Sequence, residues 1–360
     1  MSEINGPKLD ELLEYTFNAK ATDLHVAVGT APMIRLNSRL TFVENMPTMT
    51  PDMTAALVDE CVSPAKRKTL EENGEVDFSF SRPGLGRFRS NIFKQRGSYS
   101  MALRSLPFAI PAFETLGIPE SVRPLTNKKS GLILATGATG SGKSTTLASM
   151  IDIINSSRRC HIITIEDPIE YLHRHKTGLV NQREVGWDTR SFATALRAAL
   201  REDPDVILVG EMRDVETIDI ALTAAETGHL VFSTLHTIGA AKTVNRILDA
   251  FPHDQQAQVR TQLAAVLEGV ISQQLLPKED GSGLVLACEV MLVNTAIRNL
   301  IREGKPHQIN TVLQTSTGAG MQTMDASLAD LVNRRIISYD DALTRTQDTQ
   351  TFQQLCSRKW

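Results

Sequence analysis

The stretch GATGSGKST, Gly137 to Thr145, places a lysine and a hydroxyl at the close of a glycine-rich run. It follows the apolar run GLILAT and precedes KSTTLASMIDIIN, so it lies between an expected strand and an expected helix. That is the context in which such a run cradles phosphate. Gly137, Gly140 and Gly142 let backbone N–H groups approach the phosphates closely, and the start of the helix favours an anion. Lys143 supplies positive charge at the β- and γ-phosphates of a nucleoside triphosphate, and the Ser144 hydroxyl is a ligand for Mg²⁺. The nucleotide-binding set is then Gly137, Thr139, Gly140, Ser141, Gly142, Lys143, Ser144 and Thr145. A glycine-rich turn could also merely cap a helix, but strand, Lys, Ser and helix together favour phosphate binding.

Carboxylates and histidines follow at strand ends. In DVILVGEMRD, the run Val206 to Val209 delivers Glu211 to a C-terminal strand end, where α/β proteins bind ligands. A carboxylate there can hold Mg²⁺ through its water shell. HIITIEDPIEY adds Glu166, Asp167 and Glu170 after another apolar run, with Pro168 stopping the strand. Three acids so close repel one another unless water, metal or base chemistry uses them, or unless they form a solvated acidic turn. One of them could deprotonate or orient an attacking water, and spacing does not say which. His229 and His236 bracket the run HLVFST; a neutral imidazole at a strand end can sense a phosphate-coupled water, although lone histidines are often structural.

These groups need elements to hold them. From residue 120 strands alternate with helices (GLILAT, KSTTLASMIDIIN, HIITIE, SFATALRAALRE, DVILVG, HLVFST), a rhythm that implies a parallel sheet. From residue 240 onward the chain reads as mostly helical. Residues 1–106 read as a smaller α+β unit: a helix over KLDELLEYTFNAK, then the strand-like runs DLHVAV, PMIRLN, DFSFS and FRSNIF, with a turn at SRPGLGRF. Between the two, residues 107–119 carry Pro107, Pro111 and Pro119, which disfavour a continuous element and mark a linker. The expected division is 1–106, 107–119 and 120–360.

The bulk properties exclude several classes. The net charge of −3 over 360 residues argues against a broad electrostatic footprint for nucleic acid. The four cysteines form no CxxC pair, which makes a zinc ribbon unexpected and fits a reducing cytosol. No apolar run approaches the roughly 20 residues of a membrane span, and no signal-peptide pattern opens the sequence. Work at a membrane would therefore require a partner to hold the protein there.

Taken in order, GATGSGKST, ITIEDPIEY, VGEMRD and AAETGHLVFSTLHT resemble the Walker A, Asp box, Walker B and His box of the secretion and type IV pilus ATPases. The resemblance extends from residue 7 to residue 350 and includes ATDLHVAVGTAPMIRLN and GLVNQREVGWDT. It implies a PAS-like N-terminal domain followed by a RecA-like P-loop ATPase domain with a helical C-terminal part, assembled as a homohexamer. The hexamer would sit at the cytoplasmic face of the inner membrane, peripheral through a pilus platform protein and acting indirectly on pilin, with ATP and Mg²⁺ as cofactors and no nucleic acid. It also implies Glu170 as the catalytic glutamate, Glu211 as the Walker B acid, and His229 and His236 as catalytic His-box residues. Of the arginines in GRFRSNIFKQRGSYSMALRSLP, Arg89 and Arg104 align best with those that reach bound ATP; outward charges on an edge strand are the alternative. Ala138 stands where retraction ATPases of this family usually carry proline, a departure that should leave phosphate binding intact because the resemblance assigns that position no side-chain chemistry.

The resemblance is strongest to the retraction branch, whose members power pilus disassembly and twitching motility. The alternatives are an accessory retraction ATPase, or an assembly or type II secretion ATPase; those last usually carry a tetracysteine zinc insertion and a further N-terminal domain, neither present here. A DNA-translocating ring and a non-hydrolysing switch fit the charge and the full set of site residues less well. AIRNLIREGK, residues 296–305, carries no chemistry of its own and reads as an amphipathic helix capped by Asn294 or Thr295 and ended by Gly304. The resemblance links it to retraction, with Ile297, Leu300 and Ile301 packing inward and Arg298, Arg302 and Glu303 facing a partner or a neighbouring subunit.

Overall fold

A computed structural model describes residues 6–36, 39–106 and 109–357. Asn37 of PMIRLN, Pro107 of the expected linker and residues 358–360 of the C-terminal tail lie outside the described residues. The chain divides into two compact units, the first reaching Ala109 and also taking in Pro168–Leu172, the second holding the rest from Ile110.

The first unit runs α1 (Leu9–Asn18), β1 (Asp23–Val26), β2 (Met33–Leu36), β3 (Arg39–Phe42), α2 (Pro51–Cys61), α3 (Pro64–Asn73), β4 (Glu75–Arg82), β5 (Gly86–Gln95) and β6 (Ser98–Leu106). Thr50 and Ser63 cap α2 and α3, each followed by a proline already set in the helical φ. The strands form one six-stranded antiparallel sheet in the order β3-β2-β1-β6-β5-β4. Alternation sends Leu24, Phe88, Ile92 and Met101 to the core, where Leu9, Leu12 and Leu13 of α1 are also buried. The opposite face carries one transverse row of paired positions: Arg89 beside Arg104, Arg104 beside Asp23, Asp23 beside Arg35.

The second unit contains β7 (Gly131–Thr136), α4 (Lys143–Ser157), β8 (His161–Glu166), β9 (Leu179–Glu184), α5 (Phe192–Ala199), β10 (Val206–Val209), α6 (Val215–Glu226), β11 (Leu230–Leu235), α7 (Ala240–Leu248), α8 (Gln256–Val266), β12 (Leu267–Pro277) and β13 (Leu284–Leu292). It closes with α9 (Thr295–Arg302), α10 (Ile309–Thr315), α11 (Met324–Asn333), α12 (Tyr339–Leu343) and α13 (Thr349–Ser357). Seven strands lie in the order β13-β12-β7-β11-β10-β8-β9, parallel except for the antiparallel edge strand β13.

β12 and β13 correct the expectation of a mostly helical region after residue 240. Leu263, Val266, Leu267, Val270 and Ile271 recur at helical spacing straight through the boundary between α8 and β12. Yet Leu267 leaves the helix with φ −67° and ψ 124°. β12 is buried on both faces, so it shows no strand alternation to betray it.

α9 forms where the sequence places it. Asn294 accepts from Ile297 N at 3.0 Å, Gly304 ends the helix at φ 70°, and Ile297 and Ile301 are wholly buried. Arg298 departs from expectation. It does not face outward but donates to Ala264 O and Ala265 O, both at 2.7 Å, and pairs with Glu268 at 2.6 Å. Those carbonyls are unsatisfied C-terminal groups of α8, so Arg298 works as a long-range cap. Arg302 and Glu303 are exposed. Arg298→Ala is expected to destabilise the second unit by about 1–3 kcal/mol, the cost of losing its charge-assisted bonds to Glu268 and to the end of α8. Arg302→Ala should stay within about 0.5 kcal/mol. Urea denaturation of the two variants side by side checks the difference.

Candidate nucleotide site

Parallel pairing carries the C-terminal ends of β7, β8, β10 and β11 to one edge of the sheet. Thr136 sits beside Leu235 and Ser272, and Val209 sits beside Ile165 and Ser233. The glycine-rich loop leaves β7 at this edge and turns into α4. Gly137 has φ 139°, and a Cβ there would stand 2.3 Å from Gln273 O and 2.6 Å from Ser141 Oγ, so no other residue fits. Lys143, 8% exposed, donates from Nζ to Gly137 O at 2.8 Å and Ala138 O at 2.9 Å. Its charge thus stabilises the loop that would hold phosphate. Thr136 Oγ1, Ser141 Oγ and Gln273 Oε1 are buried without hydrogen-bond partners among the described residues. Unsatisfied polar atoms therefore gather at this loop and α4's N-terminus, an environment that suits phosphate and its water.

Glu211 follows β10 at the same edge. Its side chain is 13% exposed and lies between two cations: Arg213 Nε at 2.6 Å and His236 Nε2 at 3.3 Å, the latter charged only when protonated. Thr234 donates to Gly210 O at 2.6 Å and Ser233 to Val209 O at 2.8 Å, which fixes the strand end that presents Glu211. Among the described residues no cluster of three or more His, Cys, Asp or Glu side chains could hold a metal ion. A cation at Ser144 and Glu211 would share its shell with phosphate oxygens and water, the habit of Mg²⁺ in nucleotide sites.

The three acids after β8 differ in surroundings. Glu166 accepts from Thr164 Oγ1 at 2.6 Å and from Gln182 Nε2 at 3.2 Å, which ties it to the sheet. Glu170 is half-buried, and its carboxylate has no hydrogen-bond partner among the described residues. It belongs to the segment Pro168–Leu172 of the first unit, where Arg87 Nε donates to Ile169 O at 3.1 Å.

The structure separates the two histidines. His236 lies next to Glu211, but His229 precedes β11 at the opposite edge of the sheet. A strand's length, roughly 20 Å at ~3.3 Å per residue, lies between them. His229 Nδ1 lies 2.9 Å from Ala224 O, and its carbonyl accepts from Gly131 N at 3.1 Å, at the start of β7 rather than at the phosphate loop. Within one chain His229 is therefore not part of the nucleotide site, contrary to its expected catalytic place. In the first unit, Arg104 pairs with Asp23 at 2.8 Å while Arg89 beside it is exposed. Burial works against the Asp23 charge, yet bonds from Thr22 and Arg104 bring its carboxyl below the ordinary value.

Polar positions on β12 and β13 carry much of the support. Gln273 Nε2 donates to Thr146 Oγ1 of α4 at 2.8 Å, and Ser272 Oγ accepts from Gly239 N at 2.8 Å, three residues beyond His236. Arg213 was another residue without an assignment in the sequence, and proximity in VGEMRD was the one available hint.

The model of the family described as type II/IV secretion system protein matches residues 100–343. The chain belongs to this family. It is 48% identical to the type IV pilus retraction ATPase PilT of Pseudomonas aeruginosa over 96% of this chain and 99% of that one. It is 50% identical to a twitching motility protein of Neisseria gonorrhoeae, covering 89% and 85% of the two chains. A crystal structure of the pilus retraction motor PilT with bound ADP superposes with a TM-score of 0.92 at 53% identity, covering 97% of this chain and 99% of that one. The fold is accordingly that of the family's ATPases, an N-terminal domain followed by a RecA-like ATPase domain.

The loop after the Asp box carries a titratable group with a measurable consequence. Burial lowers the His173 ring to about 4, and its Nδ1 is buried without a hydrogen-bond partner among the described residues. A depressed histidine contributes stability above its unfolded value near 6.5, and that contribution is lost as pH falls through the folded value. Between pH 7.5 and 5.5 the unfolding free energy should fall by about 1.4 kcal/mol from this residue alone. His173→Gln should flatten that part of the pH–stability curve.

Proposed function

We propose that this protein is an ATP-hydrolysing motor that powers type IV pilus retraction. Full-length similarity to PilT, combined with a phosphate loop, Glu211 and His236 on one sheet edge, carries the proposal. The loop Gly137–Gly142 and Lys143 bind the phosphates, and Thr139, Ser141 and Thr145 line them. Ser144 and Glu211 would hold Mg²⁺, which when bound neutralises charge on the β- and γ-phosphates. His236 keeps Glu211 oriented and senses the γ-phosphate end. Glu170 takes the proton from the attacking water; an unencumbered carboxylate supports that role over Glu166, whose oxygen is already engaged.

Arg89 and Arg104 would contribute positive charge to nucleotide held in an assembled ring, since guanidinium stays charged and binds phosphate oxygens in pairs. Arg104 would have to exchange Asp23 for phosphate. His229, remote from its own chain's loop, would serve between subunits. The ring would be a homohexamer of two-domain subunits, residues 1–106 and 120–360 joined by 107–119. It would act at the cytoplasmic face of the inner membrane through a platform protein and, through it, on pilin. No described helix is long and apolar enough to cross a membrane.

Glu170→Gln should bind nucleotide near normally while turnover falls by roughly 10²–10⁴-fold. Unchanged turnover would remove Glu170 as the base. In the cell, deletion of the gene should leave excess surface pili without twitching, whereas loss of pili would assign the protein to assembly instead.

A further inference from the structure

His236 stands on the short link between β11 and α7, and its side chain is 48% exposed. Its 3.3 Å approach to Glu211 therefore depends on how the link is held from behind. Gly239 precedes α7 at φ 99° and has no side chain with which to cap the helix. The cap comes from β13: Glu289 Oε1 accepts from Ala240 N at 2.6 Å. Ser272, paired with Glu289 across β12 and β13, accepts from Gly239 N at 2.8 Å. Thr243 completes the clamp by donating to Gly239 O at 2.8 Å.

Glu289 is 1% exposed, and a lone carboxylate at that depth is costly. Its second oxygen faces the N-terminus of α11, with Met324 N at 3.4 Å. One buried acid thus meets the starts of two helices, both of which favour negative charge. Burial pushes the carboxyl above its ordinary value, opposed by the Ala240 and Met324 N–H groups. The next residue of α11, Asp325, accepts from Gln347 N at 2.8 Å and Asp348 N at 2.9 Å. The Gln347 side-chain amide returns to the same link, 3.1 Å from where a Cβ on Gly239 would lie.

We infer that Glu289 is a positioning residue for hydrolysis: by joining the N-termini of α7 and α11 it sets the place of His236 against Glu211 and links that place to the C-terminal helices. The inference rests on the role given to His236 above. A cap that only stabilised the fold would leave turnover alone once folding was secured; a positioning cap must act through His236.

The test is a double-mutant cycle on the full chain, with kcat and KM for ATP and the thermal midpoint measured for His236→Ala, Glu289→Gln and both together. Glu289→Gln replaces one acceptor oxygen with a donor facing an N–H. It should lower kcat by roughly 10–100-fold, the effect of misplacing a site group by about 1 Å, while KM moves less than about two-fold. In the His236→Ala background the same change should remove little more. Normal kcat in Glu289→Gln, or losses that multiply in the double variant, would overturn the positioning role alone. Normal kcat in His236→Ala would instead remove the role of His236 and the inference with it. Should Glu289→Gln not fold, Ser272→Ala replaces it in the cycle with the same expectations.

Discussion

The constraint on which the nucleotide edge rests is the approach of Gly137 to the carbonyl of Gln273, where an added Cβ would be 2.3 Å away. It fixes the first turn of the phosphate loop against β12, and much of the site follows from that contact. β12 runs parallel to β7, so its register at Ser272 and Thr136 is set before the loop begins. Gln273 then reaches α4 through Thr146, and Ser272 reaches the link behind His236. Two consecutive residues of one buried strand thus support the phosphate loop and the link that presents His236. A strand does this better than a loop because successive side chains leave it on opposite sides.

Legibility in the sequence tracked how local each constraint was. The loop, its strand and its helix are contiguous, so spacing alone identifies them and predicts which edge they occupy. Glu211 could be placed for the same reason, as the end of a short apolar strand. Ser272, Gln273 and Glu289 could not. Their partners lie 33, 127 and 49 positions away, and in VISQQLLP the polar pair looks like the wet side of a helix continuing α8. No motif marks a polar side chain whose task is to satisfy a distant backbone. His229 is the reverse case: membership in a recognisable box suggests a site role, but strand direction puts the two ends of β11 on different edges, away from its own chain's phosphate loop.

The first unit was legible as alternating strands, and its helices and remaining strands were less so because capped short helices such as α3 have little apolar periodicity. The role proposed for it rests on a row rather than a motif. Arg89, Arg104, Asp23 and Arg35 come from separate strands and become neighbours only through register. Asp23 spreads its charge between Arg104 at 2.8 Å and Arg35 at 3.9 Å. Asp23 is 7% exposed, so a departing Arg104 would leave a buried carboxylate to Thr22 and Arg35, and the change of partner carries a cost.

The helix of AIRNLIREGK gains a different meaning from the same logic. Its arginines look alike in sequence, four residues apart, but Arg298 is held by distant parts of its own chain while Arg302, among the described residues, bonds to its helix neighbour Asn299. Arg298 caps α8 where that helix gives way to β12, and its ion-pair partner Glu268 occupies the irregularity between Leu267 and Gly269 in the pairing with β7. A bulge there shifts the register of everything downstream, including Ser272 and Gln273. The motif therefore has two physical parts. Arg298, with Ile297 and Ile301, holds α8 and the start of β12 in place. Any contact with a partner falls to Arg302, Glu303 and the exposed end of the helix, because a partner that drew Arg298 outward would strip α8 of its cap. Loss of Arg298 and loss of Arg302 are consequently different physical events: one loosens the supports of the nucleotide edge, and the other changes only the surface that α9 presents.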